Sequence, residues 1–182
     1  EPYHGYAISD HYAIDPHYGD LDLYGALVDE MHGRGMTMVM DVVYNHFGSQ
    51  HYLVLDPPAD DWIHQWPVFT KSNFRAPTLL DPHAAASEQK KFNEGWFDDH
   101  MPDMNYDNPH LATYMIQNTL WWIETYGIDA LRIDTYAYPE QDFMAKLGEA
   151  VRAEHPGYFF FGETWVHGQQ IQSWFPTGMA QR

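Results

Sequence analysis

Cysteine is absent from the 182 residues, and positive charge is scarce. No cysteine means no disulfides, no thiol nucleophile and no Cys-based zinc site. Nine Lys and Arg stand against 26 Asp and Glu, for a formal net charge of −17. So acidic a chain has no basic patch with which to release phosphate counterions, which excludes nucleic acid as a partner. Anionic membrane surfaces are disfavoured for the same reason. No apolar run approaches the length of a membrane span, so no membrane insertion is expected. There is neither an initiator Met nor a signal peptide, and the chain opens at Glu1-Pro2-Tyr3 as if in mid-loop. The expectation is a central piece of a longer protein. Lack of Cys suits the cytosol and the periplasm alike; the reading leans to a periplasmic or secreted home over the cytoplasm. The twelve His invite a zinc reading, but H-E-x-x-H is absent and no i, i+4 His pair is followed by a third ligand. No metal and no cofactor is expected.

Aromatic residues are plentiful at 16%, with seven Trp and 13 Tyr. Many fall in stretches without helical periodicity, which suits either stacking on flat ligands such as sugar rings or an aromatic core. The periodic parts alternate in type. Leu21 to Arg34 reads as an amphipathic helix with Tyr24, Leu27, Val28 and Met31 on one face and Gly35 behind it. Met36 to Val43 reads as a buried strand. Periodicity is then lost over residues 44–108, which carry prolines, Trp62, Trp66 and Trp96. A stretch so long and so aromatic is an inserted subdomain rather than disorder. Asn108-Pro109 caps and opens a helix that Gly127 closes. Ile128 to Ile133 is a strand, Pro139 opens another helix, and Tyr158 to Phe161 is a short aromatic strand. Alternation of this kind implies a parallel α/β sheet with helical crossovers. Three segments follow: barrel-type residues 1–43, the insertion 44–108, and barrel-type residues 109–182.

Chemistry concentrates at the ends of the strands. Residues two apart on a strand share a face, so Arg132 and Asp134 point together. An Arg beside an Asp keeps the carboxylate ionised, as a nucleophile at a sugar C1 must be, although R-x-D also describes a structural ion pair. Glu163 follows Phe159-Phe160-Phe161-Gly162. That apolar approach raises a carboxyl pKa, which suits a general acid; a capping Glu after a strand is the plainer alternative. Two positioned carboxylates in different environments are the minimum equipment for breaking a glycosidic bond. Asp41 lies in the first strand, and Asn45 and His46 lie at its carboxyl end, where barrel sites form. His46 could bond a sugar hydroxyl or simply cap a turn. In Tyr3-His4-Gly5-Tyr6, Tyr6 offers a stacking ring and His4 a donor, or the loop merely packs.

Six segments together resemble the alpha-amylase family of retaining glycoside hydrolases. They are Tyr3-His-Gly-Tyr6, Ile14-Asp-Pro16 with Tyr18-Gly19, Asp41-Val-Val-Tyr-Asn-His46, Met101-Pro-Asp-Met-Asn105, Leu131-Arg-Ile-Asp134 and Gly162-Glu163. Met101-Pro-Asp-Met-Asn105 and Gly162-Glu-Thr-Trp165 look like the neopullulanase and cyclomaltodextrinase branch. The resemblance implies a partial (β/α)8 TIM barrel with a loop-rich subdomain inserted after the third strand. It implies Asp134 as nucleophile, Glu163 as acid and base, and Arg132 as the residue that positions Asp134. His4 and His46 would hold sugar hydroxyls, Tyr6 would stack on the ring, and Trp165 would line a neighbouring subsite. Asp41 would support the site, and Asn45 and Asp103 would brace the excursion. The substrate would be an α-glucan or malto-oligosaccharide; a glucan transferase on the same scaffold and a non-catalytic carbohydrate-binding relative are the alternatives. Members that hold calcium often carry Lys-His after the nucleophile, where this chain has Ala137 and Tyr138. The family's third carboxylate, from a later strand, has no counterpart before Arg182, so the segment alone is expected to be inactive. Oligomeric state is left open.

Overall fold

The computed structural model describes residues 4–165, so Tyr3 of the first motif and the end of the 109–182 segment lie outside it. Three strands, β1 (Val39–Val43), β2 (Ala130–Asp134) and β3 (Phe159–Gly162), form a parallel sheet in that order. Val43 pairs with Asp134 across β1 and β2, and Ile133 with Gly162 across β2 and β3. The carboxyl ends of all three strands therefore open on one side.

Helices α1 (Leu21–Gly33), α4 (Pro109–Tyr126) and α5 (Gln141–Glu154) cover the sheet. Asp20 caps α1 by accepting the Leu23 N–H at 2.9 Å. Past its end, Gly35 takes φ +72° and the Met36 N–H reaches back to the Met31 carbonyl, the glycine-terminated ending the sequence announces. Asn108 caps α4 through the His110 and Leu111 N–H groups, and Gly127 ends it at φ +66°. In α5, Phe143, Leu147 and Val151 are buried as their spacing predicts, together with Met144. That helix begins at Gln141 with Glu140 as its cap, two residues after Pro139.

Leu131, Ile133 and Phe160 point to the helix side of the sheet and sit in the main core. On the opposite face Asp41, Arg132 and Phe161 share one level of the register. Two expectations change here. The first strand starts at Val39 rather than Met36, and only Val43 in it is buried. Its outer edge has no partner strand among the described residues, so the apolar run is not covered on both faces. Within α1, Val28 is buried but Leu27 is half exposed, because the helix leans on α4 through Tyr24, whose ring meets Trp122 and Tyr126.

Residues 44–108 hold two short helices, α2 (Tyr52–Leu55) and α3 (Ala86–Asn93), a 3₁₀ turn (Ala76–Leu79) and several isolated β-bridges. Phe47, Trp62, Phe92 and Met104 from this stretch belong to the same core as β2 and α5. Sequence periodicity misses α3 because only one of its eight residues, Phe92, is buried. No helix among the described residues is long and apolar enough to cross a membrane.

Candidate active site

Arg132 stands at the centre of the charged end of the sheet. Its Nη1 donates to Asp41 Oδ1 at 2.7 Å and to Asp134 Oδ1 at 2.9 Å, and its Nη2 meets Glu163 Oε2 at 3.0 Å. One guanidinium thus binds three carboxylates, one from each strand or its immediate end. The planar fork of donors makes this possible; an ammonium is a point charge. Burial lowers the basicity of Arg132, but its hydrogen bonds to Asp41 and Asp134 and their negative charge outweigh that, and the group is held more firmly protonated than usual.

Asp134 and Glu163 bind the same guanidinium and influence each other's ionisation. Burial pushes the Asp134 carboxyl up to about 6, and the neighbouring Glu163 adds to the rise while Arg132 opposes it. Glu163 is more exposed, and its burial is outweighed by hydrogen bonds from the Trp165 side chain and the Thr135 N–H and by the Arg132 charge. Its pKa falls below the ordinary value. The charge states expected from sequence are therefore reversed in this arrangement. An apolar approach does precede Glu163, with Phe159 and Phe161 themselves exposed, and the desolvation that raises its pKa is outweighed by its hydrogen bonds and Arg132. The two acids lie close enough in their interactions to titrate as a pair rather than independently.

Tyr6 donates to Asp41 Oδ2 at 3.2 Å and lies with the Arg132 guanidinium 5.9 Å from its ring centre. His4 is exposed, stacks on Tyr6 and accepts the Tyr6 N–H through Nδ1. Trp165 is more than half exposed, with its ring 6.5 Å from Phe97. His46 is placed differently from expectation. It is fully buried, its Nδ1 faces the Asn45 amide, its Nε2 faces the Tyr6 carbonyl, and its ring stacks on Phe97. Burial pulls its pKa down to about 4, so it is neutral. Its polar atoms are spent on holding the Tyr6 loop.

Asn45 and Asp103 tie together the two ends of the 44–108 stretch. The Met104 N–H donates to the Asn45 carbonyl at 3.0 Å, His46 and Asp103 form a bridge, and Asp103 Oδ2 pairs with His64 Nδ1 at 2.7 Å. Burial drives the Asp103 pKa well up and the His64 pKa down. These bonds engage the Asn45 carbonyl and Asp103 Oδ2, and a hard cation wants six to eight oxygens. Among the described residues, only Asp98, Asp99 and His100 gather three donors within reach of one ion, and Asp98 is held by Lys71 at 2.8 Å.

Sequence reasoning missed Phe97, the ring beneath His46, and His64, the partner of Asp103. Both meet their partners across dozens of residues, and no local pattern marks them. A cavity of about 990 Å³ between the N-terminal loop, β1 and α4 reaches His4 and Asp41 but not Arg132, Asp134 or Glu163. The acid pair, rather than this cavity, is the chemically equipped place.

The alpha amylase catalytic domain family matches residues 1–178. The intracellular maltogenic amylase of Bacillus subtilis (strain 168) is 30% identical over 162 residues, 89% of this chain and 26% of that protein. The cyclomaltodextrinase of Thermoanaerobacter pseudethanolicus is 29% identical over 185 residues, 93% of this chain and 30% of that protein. Among solved structures, the acarbose complex of the alpha-amylase from Geobacillus thermoleovorans superposes with a TM-score of 0.81 at 30% identity, covering 99% of this chain and 37% of that one. The chain thus spans between a quarter and a third of the length of these curated relatives. The leaning toward a periplasmic or secreted home is overturned by the Bacillus relative, which is named as an intracellular enzyme; absence of cysteine carries no information between those compartments. The domain match implies a (β/α)8 barrel, of which the described residues supply three adjacent parallel strands. The chain belongs to the alpha-amylase family and lies within its catalytic domain.

Proposed function

We propose that this chain carries the acid pair of an α-glucan-acting glycosidase that works with retention of configuration, Asp134 being the nucleophile and Glu163 the acid and base. The observation that supports it most is the binding of both carboxyls by one guanidinium, at the carboxyl ends of neighbouring parallel strands. Retaining glycosidases separate such groups by about 5–5.5 Å with sugar between them. A sugar ring entering here parts the pair, and the proton goes with Glu163.

The chemistry then runs as follows. An Asp134 oxygen bonds to the anomeric carbon as the bond to the glycosidic oxygen breaks. The proton of Glu163 moves to that oxygen, and the leaving sugar departs. Glu163, now a carboxylate, takes a proton from water, whose oxygen attacks the anomeric carbon and releases Asp134. Attack from both faces in turn restores the original configuration. The first step needs one proton, carried by Glu163, and an ionised Asp134.

The exposed Trp165 and the half-buried Tyr6 are the rings for sugar stacking, and His4 is a donor at the rim. Asp41 holds Arg132 and Tyr6 in place. Residues 44–108 serve as an excursion braced by Asn45 and Asp103. Malto-oligosaccharides and cyclodextrins are the substrates that relatives' names support, and the name of the Bacillus relative supports an intracellular home. The test is kinetic, in the full-length protein on maltotriose. Asp134→Asn and Glu163→Gln should each lower kcat by orders of magnitude; activity near that of the parent in Asp134→Asn would defeat the assignment and favour a carbohydrate-binding role.

A further inference from the structure

The hydrogen-bond ladder between β2 and β3 changes step immediately after Asp134. In a parallel ladder, one residue bonds the two that flank its partner. Ile133 pairs with Gly162, and the Glu163 N–H accordingly reaches the Ile133 carbonyl at 2.8 Å. Regular continuation would send the Thr135 N–H to the Glu163 carbonyl. The Tyr136 N–H arrives there instead, at 2.9 Å. One residue has been extruded from the ladder, as in a β-bulge, and it is Thr135.

Thr135 is an unfavourable residue for the position. Its φ is +47°, in the left-handed region that β-branched side chains avoid. It is buried, and its hydroxyl finds no hydrogen-bond partner among the described residues. Nothing about the side chain rewards the conformation. Surrounding contacts impose it: the Tyr138 N–H binds the Thr135 carbonyl at 2.9 Å, and the Tyr136 ring occupies the space that a Cβ on Gly162 would need. The consequence lies in the backbone. The N–H freed from the ladder donates to Glu163 Oε2 at 3.3 Å. Strained conformations that surroundings over-determine cluster at functional sites.

We propose that Thr135 is a positioning residue for the proton-carrying carboxyl: the bulge takes its N–H out of the ladder and uses it to orient Glu163 against Asp134. This rests on Glu163 being the acid and base. The other groups facing Glu163 are Arg132, Asp134, Trp165 and Tyr138. Arg132 binds the same Oε2, so the N–H and the guanidinium together fix one oxygen.

Two measurements on the full-length protein test this. In protein labelled with ¹⁵N-threonine, the Thr135 amide proton should titrate with pH, and the titration should vanish in Glu163→Gln. Replacing Thr135 by its α-hydroxy acid, which exchanges the N–H for an ester oxygen, removes a donor from the carboxylate. The alkaline limb of kcat/KM should then move up by about one pH unit, with kcat lowered and KM little changed. A Thr135 amide indifferent to pH and to Glu163→Gln, or an unmoved limb in the folded ester variant, would overturn the proposal. Either result leaves the role of Glu163 itself standing, since that role is judged separately by the rate of Glu163→Gln.

Discussion

Replacing Arg132 with Leu should move the acid limb of the pH–rate profile. The nucleophile works only when ionised, and the Asp134 carboxyl, at about 6, is already hard to ionise because it is buried. Arg132 is the chief group opposing that rise, through its 2.9 Å contact. Two unit charges about 4 Å apart at an effective dielectric constant of ~20 attract by roughly 4 kcal/mol. Arg132 is one-fifth exposed and is shared among three carboxylates, so solvent screening and sharing leave roughly 2–3 kcal/mol, or about two pH units. Loss of the cation raises the carboxyl pKa, which removes the ionised form at mildly acid pH. From ionisation alone, kcat/KM on maltotriose should fall about fifty-fold at pH 6, and the deficit should shrink toward pH 9. Arg132→Lys should shift the limb by less, since an ammonium restores the charge but not the fork. Steady-state kinetics between pH 4 and 9 provide the assay. Parallel profiles with the acid limb unmoved would show that Arg132 does not tune Asp134, and the electrostatic account would fail.

Gly162→Ala places a Cβ inside the Tyr136 ring, so it should destabilise the protein by roughly 1–3 kcal/mol and lower kcat, read by thermal unfolding and by rate. His11 and His51 are buried with their ring nitrogens 3.0 Å apart, and the Leu53 N–H donates to His51 Nδ1, so neither ring can accept a proton without breaking a bond. Burial lowers them to about 3 and about 4. The unfolded chain takes up protons below about 6.5 while the fold does not, so stability should decline by roughly 2–4 kcal/mol from pH 7 to pH 5, in urea melts. A His11→Asn, His51→Asn double variant should flatten that slope. Asp103 Oδ2 is engaged by His64, and Ala137 and Tyr138 stand where calcium-holding relatives often carry Lys-His, so chelation with EDTA should leave kcat unchanged; bound calcium with oxygens from Asn45 and Asp103 would contradict this.

The parts of the fold that a local pattern specifies were legible in the sequence. The cap Asn108, the stops Gly35 and Gly127, and the buried face of α5 each depend on residues within a few positions of one another. The pairing of Arg132 with Asp134 follows from the alternation of a strand. What was not legible depends on long-range closure. The burial of His46 comes from Phe97 and Tyr6, and α3 shows one buried apolar residue where periodicity needs several. The proton balance between Asp134 and Glu163 depends on which is more covered, and an apolar run before a residue does not decide that when the run itself faces solvent. The bulge at Thr135 was hidden because nothing in Ile133-Asp-Thr-Tyr136 suggests a left-handed residue.

Covalent trapping is the most direct trial of the division of labour between the two acids. The full-length protein would be incubated with a slow fluorinated α-glycosyl fluoride, digested, and its peptides sequenced by mass spectrometry. One sugar ester on Asp134, with Glu163 unmodified, is the predicted result. A label on Glu163 or on any other carboxylate, or turnover with inversion and no trapped ester, would contradict it.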